Sequence, residues 1–176
     1  MPAGPTYETI ATTSITGTTA SVTFNSIPGT YTDLILTMTP VLGTSSFPWI
    51  RFNGDSSSLY SDIYMNGNGS AIIGGARTSQ SRGYIAEYVI HLTDSNSRTN
   101  IFVNIMDYAN TSKHKNWLSQ GRNAPDNGTY TGSELIAGRW ANTAAVTSIT
   151  VGTAAGGTDY NLAAGTVISI YGIARA

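Results

Sequence analysis

The chain contains no cysteine, which excludes disulfides, thiolate metal sites and thiol nucleophiles together. It is poor in charge as well. Nine Lys and Arg stand against ten Asp and Glu, 11% of the residues, where ordinary globular domains carry about 25%. Apart from the small Lys113-His114-Lys115 group the charges are scattered, so no basic stripe points to nucleic acid and no like-charge run to a tail. The only histidines are His91 and His114. No apolar run approaches the roughly 20 residues of a membrane-spanning helix. The opening MPAGPTYETIATT lacks the basic cluster and apolar stretch of a secretory signal. The expectation is a soluble protein with no membrane or nucleic-acid partner.

Ser, Thr, Gly and Asn fill much of what remains: 19, 25, 19 and 13 residues, 76 in all. Disorder is the competing reading of such a composition, but 40% apolar residues in ordered alternation argue against it. The 176 residues suffice for one domain with a real core. The low charge suits a β-rich protein in a crowded or repetitive assembly, and it suits a carbohydrate binder.

Period two dominates the chain. Apolar and polar residues alternate in Ser21-Val22-Thr23-Phe24-Asn25, and Leu34, Leu36 and Met38 share one face. Ile50 and Phe52 oppose Arg51 and Asn53; Tyr84, Ala86, Tyr88, Ile90 and Leu92 oppose Glu87 and His91; Ile101, Val103 and Ile105 oppose Asn104. Val167-Ile168-Ser169-Ile170-Tyr171 is apolar on both faces, as in a central strand. Half-buried strands produce such patterns, and no long stretch shows helical periodicity. Pro28-Gly29 reads as a tight turn with glycine at positive φ. Asn-Gly recurs at 53–54, 66–67, 68–69 and 127–128, each suited to a hairpin turn. Two stretches, 74–83 and 152–158, read as loops. Eight to twelve short strands predict an all-β chain, an antiparallel β-sandwich of jelly-roll type over residues 7–176, preceded by an extended arm over residues 1–6.

Catalysis needs convergent groups, and the sequence signals none. There is no nucleophile elbow, zinc-protease helix, phosphate loop or EF-hand loop. The chain is therefore expected not to be an enzyme and to hold no cofactor or metal. His91 and Glu87 lie four residues apart on one strand face, about 13 Å at strand rise, too far for a direct pair. Asn53-Gly54-Asp55 with Asp62 offers too few oxygens for the six to eight that calcium takes. It reads as a strand-ending turn with Asp55 bonding backbone amides. Trp140 follows Ile136 and Gly138 on one alternating face and belongs in the core. Trp49, after Phe47-Pro48, is placed at a rim. Trp117, in Lys113-His114-Lys115-Asn116-Trp117, is placed at a solvated strand end or protein interface.

Three stretches together resemble structural proteins of tailed double-stranded DNA bacteriophages, variously capsid decoration (cement) or tail-fibre-like proteins. They are Phe24-Asn25-Ser26-Ile27-Pro28-Gly29-Thr30-Tyr31-Thr32-Asp33-Leu34; Ile50-Arg51-Phe52-Asn53-Gly54-Asp55 with Tyr60-Ser61; and Gly138-Arg139-Trp140-Ala141-Asn142-Thr143-Ala144-Ala145-Val146-Thr147-Ser148-Ile149 with Ile168-Ser169-Ile170-Tyr171-Gly172-Ile173. They run from about residue 7 to 173; residues 66–83 match least. The resemblance implies a non-catalytic β-sandwich virion component, often oligomeric. With Met1 at its start and no coiled coil or long attachment region, the chain is expected to be a capsid cement protein rather than a fibre tip. That expectation makes it a homotrimer on the outer capsid surface, bound to the major capsid protein and made in the host cytoplasm. Pro2, Pro5 and Tyr7 are the candidate docking residues, because two prolines keep an arm extended. The alternative is a receptor- or glycan-binding module with an exposed platform of Trp49, Tyr60, Asp62 and Tyr64. A third reading, a hydrolase of cell-wall sugar, needs paired carboxylates about 5–10 Å apart in a cleft.

Overall fold

A computed structural model describes residues 6–41, 46–67, 69–87, 99–123 and 132–174. The described residues form thirteen strands and no helix. In chain order they are β1 (Tyr7–Ser14), β2 (Ser21–Phe24), β3 (Leu34–Thr39), β4 (Phe47–Phe52), β5 (Tyr60–Gly67), β6 (Ile72–Gln80) and β7 (Gly83–Tyr84), followed by β8 (Asn100–Met106), β9 (Lys115–Asn123), β10 (Gly132–Trp140), β11 (Ile149–Ala155), β12 (Thr158–Tyr160) and β13 (Val167–Ile173). Eight make one sheet in the order β1-β13-β3-β8-β9-β10-β5-β6. Five make the other, in the order β12-β11-β4-β7, with β2 paired to β11 beside β12.

Three antiparallel pairings are nested: β3 with β13, β4 with β11, and β5 with β10. The first and third lie in the large sheet and the second in the small one. A long two-stranded ribbon that rolls from one sheet to the other and back gives this order, and it is the winding of a jelly roll. The structure is thus the expected all-β antiparallel β-sandwich.

Alternation fills the space between the sheets. Leu34, Leu36 and Met38 of β3 are buried, with Ile101, Val103 and Ile105 of β8 and Ile136 and Trp140 of β10. The small sheet answers with Ile50 and Phe52 of β4 and Ile149 and Val151 of β11, in the same cluster. Phe52 lies among three rings of the other sheet. Its centroid is 6.3 Å from Tyr60, 6.0 Å from Trp117 and 5.6 Å from Trp140. The polar tips of these aromatics are satisfied, as burial requires. The Tyr60 hydroxyl accepts from Phe52 N at 2.9 Å, Trp117 Nε1 donates to Tyr84 O at 3.2 Å, and Trp140 Nε1 donates to Asp55 Oδ2 at 2.7 Å.

Glycines make room for the large rings. A Cβ on Gly138 or Gly83 would overlap the Trp117 ring, one on Gly152 would overlap Trp49, and one on Gly172 would overlap Tyr31. Trp117 is consequently a core residue, not the strand-end or interface residue expected from its basic neighbours. Both stretches read as loops are largely strand. Residues 74–80 belong to β6; 152–155 finish β11, and Gly156-Gly157 (φ 56° and 85°) turns the chain into β12. Small residues there reflect rings lying on the backbone, at Gly75 under Tyr64 and at Gly152 under Trp49.

Other local expectations divide. Asn53-Gly54 is a turn with φ 53° and 67°, whereas Asn66-Gly67 lies inside β5. Gly69 has positive φ, and 127–128 lies outside the described residues. Pro28-Gly29 lies in an irregular connection, yet the left-handed residue there is Ser26, at φ 56°, not Gly29. The strand expected over Tyr84–Leu92 ends at Tyr84, with a bend at Ile85; Tyr88, Ile90, His91 and Leu92 lie outside the described residues.

Gly138→Ala should therefore cost about 3 kcal/mol, an overpacked core having to move Trp117. Gly29→Ala should stay within about 0.5 kcal/mol, since its Cβ would meet only Ala109 Cβ at 3.9 Å. Urea midpoints measure both; equal midpoints for the two variants would contradict the ring-on-glycine packing.

Candidate functional site

The proposed glycan platform is not assembled at the surface. Trp49 is 3% exposed, Tyr60 0% and Asp62 4%, and Tyr64 is half-buried. The reason is the strand phase. Tyr60, Asp62, Tyr64 and Asn66 occupy the inward positions of β5, while Ser61, Ile63 and Met65 face out. Trp49 is capped by two guanidinium groups, Arg51 at 4.7 Å and Arg82 at 4.8 Å from its ring centroid. Arg82 is itself ion-paired to Asp159.

Asn53-Gly54-Asp55 is structural. Asn53 Oδ1 accepts from Thr147 N (2.8 Å) and Ser148 N (3.2 Å), and its Nδ2 donates to Ala145 O at 2.8 Å. Asp55 accepts from Ser57 N at 2.9 Å as well as from Trp140. Burial works against the Asp55 carboxylate, but hydrogen bonds from Ser57, Trp140 and Asn142 hold its pKa below the ordinary value. Among the described residues no group of three His, Cys, Asp or Glu is placed to hold a metal ion. The Lys113–Trp117 stretch divides as well. Lys113 is exposed and 3.4 Å from Asp107, while buried Lys115 donates to Lys113 O (2.7 Å) and Thr143 O (3.1 Å).

The inward end of β5 and β6 carries a polar cluster that the sequence did not reveal. Arg77 binds Asp62 at 2.7 Å and Glu87 at 2.6 Å, and its guanidinium lies 5.0 Å from the Tyr64 ring centroid and 4.3 Å from that of Tyr84. Glu134 reaches the same place, accepting from Glu87 N at 2.7 Å. Burial raises the pKa of both Asp62 and Glu87, with Arg77 pulling the other way. The ion pairs lock β5 to its edge neighbour and to the chain after β7. They hold the carboxylates of Asp62 and Glu87 on one guanidinium.

The outer face of the large sheet is the feature left over. Ile63 (67% exposed), Met65 (50%), Phe102 (39%) and Leu135 (39%) project from it, with Ile72 (77%) at its margin. Register brings them into one band: Leu135 lies opposite Met65 on one side and Gln120 on the other, and Phe102 lies opposite Gln120. A groove of about 570 Å³ runs between Met65, Ile72, Phe102 and Leu135, bordered by Arg122, Ser133 and Asn100. A second of about 490 Å³ follows Ile63, Ala137, Leu118 and Met106. The signal was present in the sequence: the strand containing Ile101, Val103 and Ile105 also carries Phe102 and Met106 on its supposedly polar face. Of the expected docking residues, Tyr7 is 57% exposed at the start of edge strand β1; Pro2 and Pro5 lie outside the described residues.

No family model and no curated protein matches the chain. Among solved structures it is similar to the Caenorhabditis elegans galectin LEC-6, at 10% identity and TM-score 0.34, with 92% of this chain and 95% of that one covered. It is also similar to CG-16, a homodimeric agglutinin from chicken liver, at 10% identity and TM-score 0.28, covering 68% and 92%. The fold assignment rests on the strand pairing above.

Arg77→Leu should destabilise the protein by on the order of 3 kcal/mol at neutral pH, because it strands the Asp62 and Glu87 charges. The loss should shrink on acidification. A carboxyl whose folded pKa lies above its unfolded value binds more protons when folded, so its contribution falls as pH rises through that window. Removing Arg77 raises both pKa values further. Denaturant midpoints of the variant and parent should draw together as pH falls from 7 toward the ordinary carboxylate range; a constant gap would contradict the charge assignment.

Proposed function

We propose that the protein is a non-catalytic virion component, a capsid decoration protein that joins copies of itself and the major capsid protein through sheet surfaces. The observation that carries this reading is the apolar band on the outer face of the large sheet. Contiguous exposed apolar area of this kind marks protein–protein contact in soluble proteins. It is bordered by few charges, which favours dense packing on a shell. The resemblance of the three turn-and-strand stretches to phage structural proteins supplies the virion setting. The titratable groups brought together at Arg77 hold one another in ion pairs, which supports a structural role. Avidity supplies the strength: once one copy of an oligomer is seated, the remaining contacts are effectively intramolecular. The segment before β1, with Pro2 and Pro5, and the exposed Tyr7 that begins β1 form the second docking element.

Particles lacking the protein should assemble but release DNA at lower temperature or under osmotic shock. Deleting residues 2–6 should leave a folded protein that binds particles more weakly. If protein-free particles keep full head stability but fail to adsorb to cells, the decoration reading fails and the receptor- or glycan-binding alternative replaces it.

A further inference from the structure

The margins of the two sheets are not protected equally. An exposed strand edge is a template for further pairing, and proteins blunt it with short strands, bulges, proline or outward charge. β7 has two residues and β12 three. β1 carries a bulge between Thr9 and Ala11, and Glu8 beside it. β6 is different. It is nine residues long, contains no proline, and reads IIGGARTSQ. Its pairing with β5 is regular from Ile72 to Arg77 and breaks only near Ser79, which has φ 55°. Its one charge is turned inward, onto Asp62 and Glu87. Among the described residues nothing pairs with its outer edge.

We propose that β6 is a self-association edge: it pairs antiparallel with β6 of a second copy about a two-fold axis, extending the large sheet across the seam. A strand meeting its own copy in this way presents the same donors and acceptors on both sides, so one contact satisfies both edges. Charge does not oppose it, because each Arg77 is already neutralised within its own copy. Bulk does not oppose it either. Gly74 and Ala76 are the outward residues in the middle of the run, and glycine in a strand is suited to close approach of another backbone. Ile72, at 77% exposure, would be covered by the partner, and the apolar band of one copy would continue into that of the other. The inference rests on the homo-oligomer part of the proposed function and specifies how its copies meet. It builds the assembly from two-fold pairs, in place of the trimer expected from the resemblance.

The test uses the full chain and an edge-charge variant, Ile72→Lys with Ala76→Lys, both exposed positions. Sedimentation at micromolar concentration should show the parent as a dimer or a higher even-numbered oligomer. The variant should be a folded monomer that melts where the parent does once diluted to its monomer, below the melting temperature of the parent oligomer. Hydrogen exchange of the amides in 72–77 should be at least about tenfold slower in the parent oligomer than in the variant. If the variant does not fold, the parent's exchange decides alone, since diluting it to the monomer should release the same amides. A parent that stays monomeric, an oligomer that survives both lysines, or amides in 72–77 that exchange freely in the oligomer would each overturn the proposal. A dimer that meets these tests yet gives particles no added stability would leave the edge proposal standing and refute the capsid role alone.

Discussion

Rings seated on glycines set the geometry of this sandwich. Trp117 occupies the space a side chain would need at both Gly138 and Gly83, Trp49 that at Gly152, Tyr31 that at Gly172, and Tyr64 that at Gly75. Each pair lets an aromatic ring lie on a backbone instead of on another side chain. Phe52 then closes the centre against Tyr60, Trp117 and Trp140. A chain without cysteine must obtain its stability from such contact, and large rings bury the most area per residue. The same packing consumes the aromatics: Trp49, Tyr60, Trp117 and Trp140 have almost no surface left for a ligand.

Inward demand for rings explains what remains outside. Once the aromatics and alternating aliphatics fill the interior, Ile63, Met65, Phe102 and Leu135 are left on the opposite face of the same strands. An ordinary surface would carry charge at these positions. Here charge is scarce and partly spent indoors, in the Arg77 cluster and on Lys115, whose amine is held by carbonyl oxygens and whose pKa is lowered by burial. The middle of the face therefore keeps these apolar side chains, with Arg122 and Arg139 the charges beside the two grooves.

The fold was legible because alternation is a local signal. The strands through Leu34, Ile50, Ile101 and Val167 and the turn at Asn53-Gly54 follow directly from their own residues. The site was much less legible. Which face of β5 points inward depends on its partners β10 and β6, so Tyr60 and Asp62 looked as available as Ser61 and Ile63. Glycine at 75 and 152 looks like loop in the sequence, because the ring that requires it comes from a residue 11 or 103 positions away, Tyr64 or Trp49. The Arg77 ion pairs join β6 to β5 and to the chain after β7, and no spacing rule connects those residues. At Pro28-Gly29 the positive φ expected of Gly29 falls instead on Ser26, a residue type that rarely adopts it.

The outer face of the large sheet is the surface proposed to bind the capsid. It is tested most directly by changing Met65, Phe102 and Leu135 together to serine and measuring binding to particles that lack the protein. The variant should fold, with a melting temperature close to the parent's, and its binding should be lost. Binding equal to the parent's, from an equally folded variant, would contradict it.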